Sequence, residues 1–120
     1  MELNEDQKHL IENLARIKEY WTAMAVKKIS PNYKLRPTES KEYLESLRQL
    51  FNDNTSIEAF RAFQYDIITG VMHSVMVMID GGDALADKVK IDIINEQTKK
   101  SLKDNVALHE EFIGFLVNRD

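Results

Sequence analysis

The chain has 120 residues and a mass of 13.9 kDa, which fits one domain that can bury a core without disulfides. Its 43% hydrophobic and 30% charged residues argue against disorder, and the lack of cysteine excludes disulfides and thiolate chemistry. Four glycines and two prolines are too few for a turn-rich all-β domain. The net charge of −4 argues against nucleic acid or an anionic membrane as partner.

No targeting signal is evident in the sequence. The acidic N-terminus lacks the basic and then apolar pattern of a secretory signal. The longest apolar stretch, residues 67–79, is interrupted by Gly70 and His73 and is shorter than the ~20 residues of a spanning helix. We therefore expect a cytosolic protein without a membrane partner.

A first helix is predicted from Asn4 to about Ser30. Asn4 and Gln7 have the spacing of a reciprocal capping pair, and Pro31 forces the preceding residue out of the helix. Trp21 lies at the centre of the apolar stripe, so we expect it to be largely buried and Trp21→Ala to cost about 3–5 kcal/mol. The stripe follows a spacing of four and three residues and comprises Leu10, Leu14, Ile17, Trp21 and Met24.

Two further helices follow, separated by the turn-forming residues 52–54. Thr38 or Ser40 caps the shorter second helix. Residues 55–58 predict a capping box for the third helix, in which the Thr55 hydroxyl accepts from an amide three residues on, and Gly81 ends that helix. The third helix is apolar on two faces, which favours a central position. Its main stripe is Ile57, Phe60, Phe63, Ile67, Val71, Val75 and Met78, and its second face is Met72, Met76, Val77 and Ile79.

A last helix is predicted from about Asn95 to Asn118, after a short helix at 83–89 and an extended crossing. Three long helices of similar length and one shorter helix pack most simply as an antiparallel bundle. The predicted fold is therefore all-α. It is a single helical domain over residues 1–120, an antiparallel four-helix bundle with a short irregular or helical segment between the third and fourth helices. The apolar face of the last helix comprises Leu102, Val106, His109, Phe112, Ile113 and Leu116.

A polar stripe on the third helix is the candidate binding site. It comprises Asp66, Thr69, His73 and Asp80. Two interpretations remain open: a solvated strip on an exposed helix, or a groove for a ligand or partner beside adaptable methionines. His109 lies within an apolar stripe, where a core histidine bonded to a neighbour is the expected role.

No metal site and no cofactor are predicted. The carboxylates nearest His73 on its helix face are seven residues away, about 10.5 Å along the axis, too far to share one ion. Glu42 and Glu45 resemble half of the magnesium motif of all-α nucleotide pyrophosphohydrolases, but Arg61 stands where the second half needs a carboxylate. No phosphate loop or nucleophile motif occurs in the sequence, so we expect no catalytic residues, and the sequence favours a protein that is not an enzyme.

The function expected from these patterns is protein binding. In size, acidity and helix content the chain resembles small helical bacterial proteins such as bacteriocin-type immunity proteins, without a shared motif. That resemblance implies a non-enzymatic regulator or inhibitor of another protein. The alternative is a helical bundle that binds a small molecule or metal, possibly as an enzyme.

A homodimer is also expected, because the second apolar face of the third helix needs a cover. Met72, Met76 and Ile79 are the predicted contact residues. In the competing arrangement, the segment Val89–Ile94 folds back over them and the protein is a monomer.

Overall fold

The computed structural model describes residues 2–119, and within that range the chain is helical and has no strand. The predicted all-α class is confirmed. Helix α3 is the longest element and α4 is half as long as α1. The described helices are α1 (Glu5–Lys28), α2 (Lys41–Leu50), α3 (Asn54–Ile79), a 3₁₀ helix (Ala84–Asp87) and α4 (Leu108–Arg119).

The chain divides into two compact units. The terminal unit consists of Met1–Ile17 and Thr69–Asp120, and the middle unit is Lys18–Ile68. Helices α1 and α3 each contribute residues to both units. The single domain expected from the sequence stays a prediction.

The start of α1 is fixed by the predicted capping pair. Asn4 N–H donates to Gln7 Oε1, and Gln7 N–H donates to Asn4 Oδ1, both at 2.9 Å. The side-chain amide of buried Gln7 also donates to the carbonyls of Leu102 and Asp104, at 3.1 and 3.0 Å. One polar side chain therefore caps α1 and holds the chain that precedes α4.

The buried residues of α1 lie one position after those of the predicted stripe along the chain. One position corresponds to a rotation of about 100° around the helix axis. Trp21 is 41% exposed and packs edge-on against Tyr20, whereas Lys18 is fully buried. The Lys18 ammonium lies 3.3 Å from the centroid of the Tyr65 ring, and the aliphatic stem makes burial of a lysine tolerable. The prediction that Trp21 is largely buried is therefore wrong.

Helix α3 begins one residue earlier than its predicted cap. Asp53 Oδ1 accepts from Ser56 N–H at 2.7 Å, and Asp53 N–H donates to Ser56 Oγ at 3.3 Å. A capping box is present, but its cap is Asp53 and Thr55 lies inside the first turn. The predicted capping role of Thr55 is wrong because aspartate two residues upstream is an equally strong cap.

The start of α4 was predicted 13 residues too early. Asn95 Oδ1 accepts from the Gln97 and Thr98 amides at 2.9 and 3.3 Å, which forms a turn in place of a helix. Ile94 and Ser101 then pair in an isolated antiparallel bridge. The 3₁₀ helix before this turn is capped by Asp83, as the sequence indicates. The fourth helix is therefore too short to match α1 and α3.

The core of the terminal unit is formed by α1, α3 and α4. Met76 of α3, which was predicted to lie on the second face, is 2% exposed and belongs to this core. Leu10, Leu14, Met72, Ile79 and Ile93 are partly buried against it. The fully buried members are Ile11, Ala15, Met76, Leu108, Phe112 and Leu116.

The main apolar stripe of α3 is largely exposed. Phe63 and Ile67 of the middle unit are 61% and 49% exposed, and Val71 and Val75 of the terminal unit are 59% and 45% exposed. The segment Asn54–Asp87 is the one candidate membrane span in the described residues, by length and composition alone, and an 18-residue window within it has a mean hydropathy of 1.3. A single such helix is weak evidence for a membrane, because ordinary core helices share its length and composition. A small share of this helix is buried within residues 2–119, and much of its main apolar stripe is exposed there.

Candidate functional site

The most elaborate polar contact of the terminal unit joins the end of α3 to the start of α4. Asp80 Oδ2 accepts two hydrogen bonds from His109: one from the backbone N–H at 2.8 Å and one at Nδ1, 2.6 Å away. The Asp80 side chain is 7% exposed and that of His109 is 25% exposed. The first turn of a helix has amides without partners, so Asp80 caps α4 from outside its own sequence.

The end of α3 places Asp80 for this contact. Gly81 adopts φ 79°, and Gly82 N–H donates to the Val77 carbonyl at 2.8 Å, which closes the helix. The Lys103 ammonium donates to the carbonyls of Ile79 and Ile91 at 2.8 and 2.7 Å. A cation at the negative end of the helix stabilises the turn that carries Asp80.

His73 lies beside this pair. Its ring packs edge-on against that of His109, with 5.5 Å between the centroids. When His109 donates from Nδ1 to the carboxylate, its Nε2 carries the lone pair that a proton, a ligand or a metal can use. The structure therefore brings together His73, Asp80 and His109, which the sequence places on two different helices.

These three side chains do not form a metal site by themselves. No group of three or more histidine, aspartate or glutamate side chains in residues 2–119 has a geometry that could hold an ion. Asp80 Oδ1 is buried and has no hydrogen-bond partner among these residues, and the same holds for Thr69 Oγ1. The cluster is best described as a structural link between α3 and α4, and the remaining imidazole nitrogen of His109, Nε2, lies 4.0 Å from Glu110 Oε1.

The other predicted site residues are dispersed. Asp66 is exposed in the middle unit, while Thr69, His73 and Asp80 are half-buried in the terminal unit. The predicted dimer contact was placed at Met72, Met76 and Ile79. Because Met76 is buried in the core and the other two pack against it, their side chains serve this unit's own packing.

An apolar cavity of about 170 Å³ lies in the terminal unit, beside the core. No pattern in the sequence indicates this cavity, because it depends on how residues from four parts of the chain pack together. Its lining is contributed by α1, α3, α4 and the extended segment before the turn: Leu10, Leu14, Val71, Met72, Val75, Met76, Ile79, Ile93 and Leu108.

The middle unit has its own polar centre around Glu39. Lys28 forms an ion pair with Glu39 Oε2 at 2.8 Å, while the Tyr33 hydroxyl and the Arg36 amide both donate to Oε1 at 2.7 Å. The Lys28 ammonium, followed by these two donors, lowers the pKa of Glu39 from 4.5 to about 2. This carboxylate joins the end of α1 to the connector that precedes α2.

The stability of the protein is expected to fall in acid partly through Glu39. Its pKa is about 2 when folded and near 4.5 when unfolded, so its stabilisation is complete above pH ~4.5 and is lost as the pH falls towards 2. Denaturant unfolding between pH 6 and 2 measures this loss. Glu39→Gln should flatten the slope in that window, and an unchanged slope would contradict the Glu39 contacts.

No protein-family model, curated protein or solved structure matches this chain. The function is therefore argued from the residues themselves and from what they leave exposed.

Proposed function

We propose that the chain is a non-enzymatic cytosolic interaction protein that regulates or inhibits another protein, and that it forms a homodimer. Neither nucleic acid nor a membrane is part of this proposal. The antiparallel four-helix bundle is kept as the proposed arrangement of the helices. The observation that supports protein binding is the exposure of large apolar side chains.

The middle unit concentrates this exposure. Phe63 and Ile67 lie one turn apart on α3, so they form one apolar patch, which we call the α3 patch. Single exposed apolar residues are ordinary, but adjacent large ones mark interaction surfaces. The large apolar side chains of the middle unit that are at least 39% exposed are Tyr20, Trp21, Leu35, Tyr43, Leu50, Phe63 and Ile67.

A second copy is the simplest occupant of the α3 patch. In a two-fold dimer the same surface of each copy faces its counterpart. An apolar patch therefore meets an apolar patch, and both are removed from water. Aromatic residues are also enriched where proteins meet. Phe63 is one of them, and the exposed tyrosines of the middle unit are Tyr20 and Tyr43. We therefore propose Phe63 and Ile67 as contact residues, and of Met72, Met76 and Ile79, which the sequence suggests for this contact, Met76 is 2% exposed.

The homodimer is tested by mass in solution. Wild-type protein at micromolar concentration should scatter light as about twice 13.9 kDa, and Ile67→Asp should return the mass to that of one chain. An aspartate in the contact would bury a charge without a partner. Val117→Asp places the same charge at another exposed apolar position, on α4, and should leave the dimer intact.

Two results would contradict this proposal. A wild-type mass of 13.9 kDa at every concentration would exclude the homodimer. A dimer that persists in Ile67→Asp would place its contact elsewhere on the chain. Far-ultraviolet circular dichroism of each variant should match wild type, which shows that a change in mass is not caused by unfolding.

A second candidate function is the binding of a small molecule or metal ion, possibly by an enzyme. The convergence of His73, His109 and Asp80 favours it. Elemental analysis of the purified protein distinguishes the two candidates. About one equivalent of a transition metal, lost in His109→Ala, would support the second.

A further inference from the structure

We propose that the cavity of the terminal unit binds an uncharged apolar group about the size of one aromatic ring. Its volume is about 170 Å³. Val71 and Val75 belong to its lining and are 59% and 45% exposed, so a ligand can enter from solvent beside them. Its lining residues all belong to the terminal unit, and the proposal does not depend on the homodimer.

The volume sets the size of the ligand. A cavity of about 150 Å³ lined by leucine, isoleucine and phenylalanine stays dry and binds benzene. The present cavity is slightly larger, which leaves space for a ring with one methyl group. Drug-sized ligands require roughly 300–1,000 Å³, so a larger molecule could place just one apolar end here.

The lining sets the chemistry of the ligand. All nine residues that line the cavity among those the structure describes are leucine, isoleucine, valine or methionine. A charged group would lose its hydration without gaining a partner, and a hydroxyl would meet the same cost on a smaller scale.

Two features prepare the cavity for such a ligand. Leu108 and Met76 are almost fully buried, so the floor of the cavity is part of the packed core. Met72 and Met76 also line it, and their unbranched, polarisable side chains adjust to a ring and make favourable contacts with its edge. A floor that belongs to the core and a lining that contains unbranched methionines suit a small aromatic group.

Titration with toluene, phenol and benzoate tests the proposal. Methyl-labelled methionine reports the position of the ligand, because Met72 and Met76 line the cavity and Met24 does not. Toluene should shift the signals of Met72 and Met76 in a saturable way and leave Met24 unchanged. Phenol should bind more weakly than toluene because a hydroxyl inside the lining finds no partner, and benzoate should bind more weakly still because a carboxylate carries a full charge.

A matched pair of variants locates the site. Val75→Phe fills the cavity from its rim and should abolish the toluene shifts, whereas Val117→Phe makes the same change on α4, away from the lining. Should Val75→Phe disturb the fold, Val75→Lys at the same half-exposed position tests the same point. Unsaturable shifts of all methyl groups, equal binding of phenol, or unaltered binding in both Val75 variants would overturn the proposal. If the Met72 and Met76 signals change with protein concentration and not with toluene, the cavity is covered by a second copy of the chain. That result would also overturn the proposal.

Discussion

Replacing Phe112 with alanine is expected to lower the free energy of unfolding by about 3–5 kcal/mol. Phe112 is fully buried in the core of the terminal unit, together with Ile11 and Met76. Truncation removes the transfer free energy of the ring and leaves a void that the helices cannot close. Urea unfolding, followed by circular dichroism, measures the loss.

Trp21→Ala is the control for this experiment. Because Trp21 is 41% exposed, its truncation should cost clearly less than that of Phe112, about 1–2 kcal/mol from the apolar area it still covers. A cost for Trp21→Ala that equals or exceeds that of Phe112→Ala would contradict the structure. It would support the apolar stripe that the sequence predicts for α1.

Replacing Asp80 with alanine is expected to cost about 2–3 kcal/mol. The change removes both hydrogen bonds to His109 and leaves the backbone N–H at the start of α4 without a partner. A hydrogen bond to a charged group contributes about 1.5–3 kcal/mol, and a helix cap about 1 kcal/mol. Urea unfolding at pH 7 measures the difference.

Asp83→Ala is the matched control for Asp80→Ala. Asp83 also caps a helix, through Leu85 N–H at 3.0 Å, but it is exposed and the 3₁₀ helix that it caps has four residues. Its loss should stay below about 1 kcal/mol. Equal losses for the two variants would show that the contact with His109 contributes nothing beyond an ordinary cap. Asp80→Asn, which keeps an acceptor oxygen, should fall between the two alanine variants.

Signals that depend on a few neighbouring residues were predictable from the sequence. The reciprocal bonds of Asn4 and Gln7, the capping role of Asp83 and the left-handed Gly81 each follow from short-range chemistry. The helical class also follows, because the apolar spacing of three and four residues continues over long stretches. These features need no knowledge of what packs against them.

Which side of a helix is buried was not predictable. Helix α1 buries Lys18 and exposes Trp21. The lysine stem is apolar and its ammonium lies over the Tyr65 ring, so the buried side of the helix contains a residue that the apolar pattern does not select. Helix α3 has two apolar faces, so its hydrophobic pattern fixes no single orientation. The buried face contains Met76, and the exposed one contains Phe63.

The candidate site could be predicted in part. Asp80, His73 and His109 were each selected from the sequence, but their contact depends on the turn at residues 95–98, which separates α4 from the preceding chain. The side chain of Asn95 forms that turn by accepting hydrogen bonds from backbone amides that a helix would otherwise use. The spacing of apolar residues does not reveal this alternative. The cavity and the Glu39 cluster depend on tertiary packing and had no signal in the sequence.

The exposure of the α3 patch and its use as an interface can be tested in one measurement. Methyl NMR of wild-type protein with a soluble gadolinium probe reports the solvent access of Ile67, with Val117 as an exposed reference. We expect the Ile67 signal to be strongly broadened at low protein concentration and protected at high concentration, and the Val117 signal to be broadened at both. Protection of Ile67 at every concentration would show that α3 buries the face predicted from its sequence, and broadening at every concentration would show that the patch is not an interface between copies.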